Sequence, residues 1–291
     1  MKTLAFRQTT DRGHWVGDGF PVRSIFSYND RARELSPFLL LDYAGPANFP
    51  PTDKRRGVGE HPHRGFETVT IVYSGEVEHR DSSGGGGRIG PGDVQWMTAA
   101  GGLVHEEFHG AEFRKRGGAF EVVQLWVNLP AKDKMSAPGY QAITRERIPV
   151  VDLPADSGSA RIIAGRYDDV VGPARTFTPM NVWDVVLRAG RPVELPAAEG
   201  HTTALLVLKG RVRIENEEFG EAEMAVLTRS GANIAVAATE DAAVLFLSGE
   251  PIDEPIIGYG PFVMNSEDEI RQAVVDYQTG KMGHLKAPEA V

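Results

Sequence analysis

The sequence predicts an all-β protein of two tandem, jelly-roll-like antiparallel β-barrels, followed by one short helix near the carboxyl end. Its 33 glycines and 19 prolines divide the 291 residues into short segments. These segments are rich in Val, Ile, Leu, Thr and aromatic residues, which is typical of β-barrels. One hairpin pattern occurs twice, once in each half, and helix signals occur together at a single place.

The strand candidates are short apolar or alternating runs bounded by turn residues. They comprise residues 67–73, 76–80, 93–98, 121–127, 161–164, 181–187, 204–208, 211–215, 222–228, 234–237 and 243–248. The helix is expected over residues 266–280, where Ser266 can cap the first turn, Glu269 completes a capping box and Gly280 ends the helix.

The repeated hairpin indicates two related halves. The strand 69–73 turns at Gly75 into a second strand, and the strand 205–208 turns at Gly210 in the same way. Each hairpin is followed by a glycine-containing loop and a strand led by an acidic residue. We therefore expect an amino-terminal barrel over residues 1–145 and a carboxy-terminal barrel over residues 146–291 that ends in the helix.

Composition excludes several classes of function. The net charge of −9 gives no electrostatic footprint for nucleic acid, so direct nucleic-acid binding is not expected. The chain has no cysteine, which excludes disulfides, thiolate zinc sites and cysteine nucleophiles, so any metal must use nitrogen and oxygen ligands. No signal-peptide pattern or apolar run of membrane-spanning length occurs, so a cytoplasmic location without membrane contact is expected.

Two pairs of ligand-type residues predict a metal site in the first barrel. His61 and His63 lie two residues apart just ahead of a predicted strand, and His105 and Glu107 repeat the same spacing. Because side chains alternate along a strand, each pair projects from one face, and two such pairs on neighbouring strands can converge on one ion. Glu67 shares the parity of the first pair.

The strings HPHRGFETVT, GEVEHRDSSG, GPGDVQWMTA, QLWVNLP and GPFVMNSEDEIRQAVVDYQTGKMG resemble the pirin family of cupins, and they span nearly the whole chain. This resemblance implies a bicupin with one mononuclear iron in the amino-terminal barrel. Carried over residue by residue, the metal ligands are His61, His63, His105 and Glu107. The wider cupin family commonly takes its carboxylate from the first motif, which here is Glu67, so the choice between Glu67 and Glu107 stays open, with the pirin pattern favouring Glu107.

The second barrel departs from the metal pattern. Alignment of the two halves on Gly75 and Gly210 sets Pro196 and Ala198 against the histidine pair of the first motif. Alignment on the acidic residue that leads the later strand sets Ala235 and Ala237 against the second ligand pair. The carboxy-terminal barrel is therefore predicted to bind no metal.

The resemblance also implies a function. Bacterial pirins are associated with quercetin 2,3-dioxygenase activity, in which dioxygen opens a flavonol, and Glu107 or Glu67 could take the substrate proton as the catalytic base. Three histidines and one carboxylate leave an octahedral ion two open positions, which suits Fe(II), with Mn, Ni, Co or Zn as alternatives. The alternative is a non-enzymatic, redox-sensing or regulatory metal-binding protein that acts through a protein partner.

Two further residues lie near the motifs. His79 follows an acidic residue on a predicted strand, and we interpret it as structural, since the matching family string contains no ligand there. Gln124 is the polar side chain within the apolar run 121–127, and it is a candidate to hydrogen-bond a ligand histidine.

Overall fold

The computed structural model describes residues 1–285 and confirms the all-β bicupin fold. The strands of the first half are β1 (Leu4–Gln8), β2 (Gly13–Val16), β3 (Phe20–Phe26), β4 (Phe38–Phe49), β5 (Gly57–His63), β6 (Phe66–Ser74), β7 (Val77–Asp81), β8 (Gly86–Ile89), β9 (Val94–Thr98), β10 (Leu103–His109), β11 (Gly118–Asn128) and β12 (Gly139–Ile143). The strands of the second half are β13 (Val150–Asp152), β14 (Gly158–Ala164), β15 (Arg166–Tyr167), β16 (Val170–Val171), β17 (Met180–Leu187), β18 (Pro192–Pro196), β19 (Thr202–Lys209), β20 (Val212–Ile214), β21 (Glu217–Phe219), β22 (Met224–Leu227), β23 (Asn233–Ala238), β24 (Ala242–Gly249), β25 (Ile257–Tyr259) and β26 (Phe262–Met264). The α-helices within residues 1–285 are α1 (Ala32–Leu35), α2 (Ala111–Arg116) and α3 (Glu267–Gln278).

The chain divides into two compact units, and each contains one barrel. The amino-terminal barrel belongs to a unit made of Gly13–Asp30, Leu39–Arg145 and the described part of Asp253–Val291. Its four-stranded sheet has the order β5-β10-β7-β8, and its seven-stranded sheet has the order β12-β9-β6-β11-β4-β3-β2. The hairpin β25-β26 and helix α3 belong to the same unit.

The carboxy-terminal barrel belongs to a unit made of Met1–Arg12, Arg31–Phe38 and Glu146–Ile252. Its sheets have the orders β18-β23-β20-β21 and β1-β22-β19-β24-β17-β14-β13, so the first strand of the chain is an edge strand here. Its interior is a continuous apolar core in which Trp183 stacks on Phe246 at a centroid distance of 4.5 Å. The chain crosses between the units at several points, among them Arg145–Glu146. Met1–Arg12 belongs to the unit of the carboxy-terminal barrel, and residues 253–285 belong to the unit of the amino-terminal barrel.

Every predicted strand coincides with an observed one, and the predicted helix is α3. Ser266 caps it as expected, since its Oγ accepts a hydrogen bond from the Glu269 backbone nitrogen at 3.3 Å. The capping box is altered, because the Glu269 carboxylate accepts from the backbone nitrogen of Asn265 at 2.9 Å, one residue before the cap. Within residues 1–285, no helix is long and apolar enough to cross a membrane.

Candidate metal centre

Three histidines meet inside the amino-terminal barrel. β5 carries His61 and His63, and β10 carries His105, which is paired directly with His61 in the antiparallel register. The imidazole centroid of His105 lies 4.2 Å from that of His61 and 4.8 Å from that of His63. One potential ligand atom from each ring lies within 4.8 Å of the others. The structure therefore brings together the three histidines that the sequence singled out.

Hydrogen bonding leaves the Nε2 atom of each ring for a metal. His61 Nδ1 lies 2.8 Å from the Gly59 carbonyl oxygen, and His63 Nδ1 lies 3.3 Å from the Pro261 carbonyl oxygen, so both rings donate from Nδ1. His105 Nε2 is fully buried and has no hydrogen-bond partner. A buried polar atom without a partner is costly, and an ion beside it removes that cost. The histidines thus fit a metal site.

Burial also keeps two of these rings in the state that metal binding requires. The pKa of His63 and the pKa of His105 are lowered well below their usual range, chiefly because burial disfavours the charged ring and also because His61 lies close to both. Metal ligation requires the neutral imidazole. Both rings are therefore neutral, and no proton has to leave them before an ion binds.

Glu107 lies on the same strand as His105, and three donors hold its buried carboxylate. Gln95 Nε2 and Thr70 Oγ1 donate to Oε1 at 3.1 Å and 3.3 Å, and Gln124 Nε2 donates to Oε2 at 3.2 Å. These hydrogen bonds connect β10 of the four-stranded sheet with β9, β6 and β11 of the seven-stranded sheet. Gln124, expected to contact a ligand histidine, thus contacts Glu107, whose potential ligand atom is grouped with those of His79 and His105 and not with those of His61 and His63.

The structure does not bring Glu67 to this cluster. Glu67 and Thr70 are three residues apart on β6, so their side chains leave opposite faces, and Thr70 is the one that contacts Glu107. Glu67 is fully buried; its Oε1 accepts from Thr98 Oγ1 at 2.7 Å, whereas its Oε2 has no partner. Burial raises the pKa of Glu67 to about 7.

His79 belongs to the cluster, although its sequence context suggested only a structural role. Its Nδ1 lies 3.3 Å from His105 Nδ1, and its Nε2 lies 3.1 Å from Asp81 Oδ2. Its ring stacks on Tyr140 at 5.1 Å and 12°. His79, His105 and Glu107 form a second group of potential ligand atoms within 4.8 Å. The i, i+2 spacing of His79 and Asp81 is the same signal that identified the other pairs.

The Asp81 carboxylate is held on both sides. Its Oδ1 accepts from the backbone nitrogens of Ser83 and Gly85 at 2.8 Å and 3.0 Å and from the Ser83 hydroxyl at 2.6 Å. Burial alone would raise the pKa of Asp81, but the hydrogen bonds from His79, Ser83 and Gly85 outweigh it, and the pKa is lowered. Asp81 is therefore an ionised acceptor.

An aromatic wall borders His63. Trp126 meets the His63 ring edge to face at 5.1 Å and stacks on Phe66 at 4.3 Å and on Tyr28 at 6.2 Å. The Tyr28 hydroxyl donates to the Gly260 carbonyl at 2.8 Å, next to the Pro261 carbonyl that receives His63 Nδ1. The turn between β25 and β26 thus fixes both the wall and one histidine.

Both groups of potential metal ligands found among residues 1–285 lie in the amino-terminal barrel. In the carboxy-terminal barrel, Ala235 faces outward, while the inward side chains of β23 are the buried Ile234 and Val236. The sequence alignment that set Ala235 and Ala237 against His105 and Glu107 is therefore wrong by one residue. The alignment that set Pro196 and Ala198 against His61 and His63 is wrong by one residue too, because Leu195 pairs with Ile234 as His61 pairs with His105.

Comparison with known proteins shows which families and structures the chain is similar to. The family model described as Pirin matches residues 19–127, and that described as Pirin C-terminal cupin domain matches residues 182–283. The Pseudomonas aeruginosa protein named "Putative quercetin 2,3-dioxygenase PA2418" is 60% identical over 268 residues, covering 92% of this chain and 94% of that protein. A pirin-like protein of Caulobacter vibrioides is 38% identical over 274 residues, covering 93% of this chain and 96% of that protein. The crystal structure of a quercetin 2,3-dioxygenase from Acinetobacter baumannii superposes with a TM-score of 0.95 at 52% identity, covering 98% of this chain and all 100% of that one.

Proposed function

Because the chain belongs to the pirin family, we propose that it is a metal-dependent dioxygenase that opens flavonol-like substrates, with one metal ion in the amino-terminal barrel. His61, His63, His105 and Glu107 are its ligands. The observation that carries the proposal is the buried, unpartnered Nε2 of His105 beside two further histidines whose Nδ1 atoms are already engaged. The naming of similar proteins as quercetin 2,3-dioxygenases supports the substrate class.

We assign iron(II) as the metal. Imidazole nitrogen and carboxylate oxygen suit first-row transition metals, and Mn, Ni, Co and Zn share these preferences, so elemental analysis has to distinguish them. When bound, the ion supplies Lewis acidity and one-electron chemistry toward dioxygen. The protein contributes the rest, which is the orientation of the ligands, the exclusion of water and the handling of one proton.

Glu107 is the proposed proton acceptor for the substrate hydroxyl. Its Oε1 already accepts two hydrogen bonds, from Gln95 and Thr70, whereas Oε2 accepts one, from Gln124. An ionised carboxylate oxygen has two acceptor positions, so Oε2 keeps one, which would serve the ion or the proton in turn and not both at once. Glu67 is not the base in this proposal, since its carboxylate leaves the opposite face of β6 and is bound to Thr98.

The aromatic wall excludes water from the histidine side of the site. Trp126 covers one edge of His63, and its own ring is packed between Phe66 and Tyr28. A planar, mostly apolar substrate can lie against such a wall, where desolvation strengthens its polar contacts with the site.

The test is turnover of quercetin by the iron-loaded protein. Catalytic bleaching of the flavonol absorption, with matching oxygen consumption, is expected for the wild type and for His14→Ala, which removes an exposed histidine on β2. The His63→Ala variant should lose this activity. Fewer than one turnover per metal across a panel of flavonols would contradict the enzyme proposal and favour the regulatory alternative, in which reduced and oxidised forms differ in partner affinity.

A further inference from the structure

His105 differs from the other two histidines in what holds its Nδ1. His61 and His63 each face a backbone carbonyl oxygen, which accepts and cannot donate. His105 Nδ1 faces the Nδ1 of a fourth histidine, His79, at 3.3 Å. One of these two nitrogens must donate and the other must accept, so the state of His79 decides the state of His105.

Asp81 determines the direction of the whole chain of hydrogen bonds. Its ionised carboxylate accepts only, so His79 Nε2, at 3.1 Å, must carry a proton. A neutral His79 protonated at Nε2 has a lone pair at Nδ1, and His105 must then donate from Nδ1. That places the free lone pair of His105 on Nε2, which is the buried atom without a partner.

We propose that Asp81 and His79 are positioning residues that set the tautomer of His105, so that its Nε2 lone pair is presented to the metal. This inference rests on the metal centre proposed above and adds two residues to it. Neither residue touches the ion. Outer hydrogen-bond partners of this kind commonly change metal affinity about 10–100-fold when they are removed.

We call the chain of hydrogen bonds from Asp81 through His79 to His105 the relay. Neighbouring groups keep the side chains of Asp81 and His79 from rotating. Asp81 Oδ1 is occupied by three donors of the following turn, which reserves Oδ2 for His79. Tyr140 stacks on the His79 ring with an interplanar angle of 12°, which fixes the ring plane. The side chains of His79 and Asp81 are both 0% exposed, so water does not compete for their hydrogen bonds.

A second metal ion held by His79, His105 and Glu107 is the competing explanation, because their ligand atoms also lie within 4.8 Å. Such an ion would use the lone pair of His79 Nδ1, which in the relay receives the proton of His105. The relay accounts for both nitrogens of His79 and for Nδ1 of His105. It leaves Nε2 of His105 without a partner, and this is the atom that an ion held with His61 and His63 would use. The two explanations differ in stoichiometry.

The decisive variant is Asp81→Asn. The asparagine carbonyl can keep the hydrogen bonds of the turn, while its amide donates to His79 Nε2 and so reverses every donor and acceptor up to His105. Nitrogen-15 NMR of the histidine rings in the metal-free protein should show His105 protonated at Nδ1 in the wild type and at Nε2 in Asp81→Asn. The affinity for zinc, used as a diamagnetic probe, should fall about 10–100-fold. Asp81→Glu should retain the wild-type tautomer and most of the affinity.

Two further variants complete the test. Asp93→Asn is the matched control, because Asp93 also braces backbone nitrogens in this barrel, at Gly90 and Arg145, without contacting a histidine; its His105 tautomer and zinc affinity should equal those of the wild type. If Asp81→Asn does not fold, His79→Phe keeps a ring against Tyr140 but removes the acceptor, so both tautomers of His105 should be populated and zinc affinity should fall.

Each result has one meaning. An unchanged His105 tautomer with zinc affinity within about twofold of wild type in Asp81→Asn would overturn the relay. Two zinc equivalents in the wild type, one of them lost in His79→Phe, would overturn it in favour of a second ion. Wild-type zinc binding that survives His105→Ala would instead refute the proposed metal centre, even if the tautomer reversed as described.

Discussion

The two barrels share one strand order and differ in what fills them. The sheet β5-β10-β7-β8 of the first corresponds strand for strand to β18-β23-β20-β21 of the second, and the large sheets correspond in the same way. The pairing of strands shows which positions of the two barrels are equivalent. Val77 pairs with His109 in the first barrel, and Val212 pairs with Ala238 in the second. Two residues further along, His79 pairs with Glu107. The architecture alone therefore does not create a metal site.

Eight polar residues of the metal centre have apolar counterparts in the second barrel. The pairs derived from the registers are His61 and Leu195, His63 and Ala197, His79 and Ile214, His105 and Ile234, Glu107 and Val236, Thr70 and Leu205, Gln95 and Ala225, and Gln124 and Phe246. All eight counterparts belong to the buried apolar core of the second barrel. These eight residues therefore form one unit, which is present in one barrel and replaced by apolar side chains in the other.

The largest effect should come from giving the first barrel one residue of the second. His105→Ile removes the central ligand while keeping a buried side chain of the type found at Ile234. The metal content, close to one equivalent per chain in the reconstituted wild type, should fall to background. Elemental analysis measures this, and circular dichroism checks that the barrel is intact. His201→Ala, in the other barrel, should keep the full equivalent, and equal losses in both variants would refute the site assignment.

The reverse exchange should damage the second barrel. Val236→Glu places the counterpart of Glu107 in a core that has no histidine, glutamine or threonine at the neighbouring positions. An unpaired buried carboxylate should lower the free energy of unfolding by about 3–5 kcal/mol. Urea unfolding measures it, with Val236→Ala as the control for lost volume. A smaller loss for the glutamate than for the alanine would show that this interior accepts a charge.

Glu67 should affect stability with a defined pH dependence. Its pKa is about 7 in the folded protein because of burial, and lower in the unfolded chain. The folded state therefore binds more protons, so stability falls as the pH rises from about 4.5 to about 7. Glu67→Gln should be more stable than wild type at pH 8, by about 3 kcal/mol, and nearly equal at pH 4.5.

Unfolding midpoints of metal-free protein at the two pH values measure this difference. Glu107→Gln is the comparison for metal content, since loss of metal in that variant and its retention in Glu67→Gln is the result that the proposed ligand set requires. The opposite result would make Glu67 the carboxylate ligand.

The sequence predicted the strands whose apolar residues alternate or cluster, such as β6, β9 and β11. It did not predict β5, because the sequence of Gly57–His63 places ligands where an ordinary strand places apolar residues. β10 was not predicted for the same reason, since His105, Glu107 and His109 stand where an ordinary strand has apolar residues. A strand that builds a site therefore lacks the pattern by which strands are recognised, and its ligands had to be found by their own spacing.

The rule that side chains alternate along a strand does not hold across the break between β5 and β6. Glu67 was grouped with His63 by counting along a continuous strand, but β5 ends at His63 and β6 begins at Phe66. Between them Gly65 has φ of +90°, which is accessible to glycine and interrupts the alternation. The contact of His79 with His105 could not be predicted either, since it depends on the register between β7 and β10, which lie 22 residues apart in the chain.

The smallest expected effect concerns Gln124, whose counterpart in the second barrel is Phe246. Gln124 donates to Glu107 Oε2 from β11 and does not touch a histidine within hydrogen-bond distance in the described structure. Gln124→Ala should leave one metal equivalent bound but weaken the affinity about tenfold, because the carboxylate loses one of three donors and gains rotational freedom. Competition with a chelator of known affinity measures this. Gln141→Ala, on β12 at the edge of the same sheet, is the control for removing a glutamine from the barrel. If Gln124→Ala bound metal as tightly as the wild type, Gln95 and Thr70 alone would suffice to orient Glu107, and the hydrogen-bonded unit would be smaller than the comparison of the two barrels indicates.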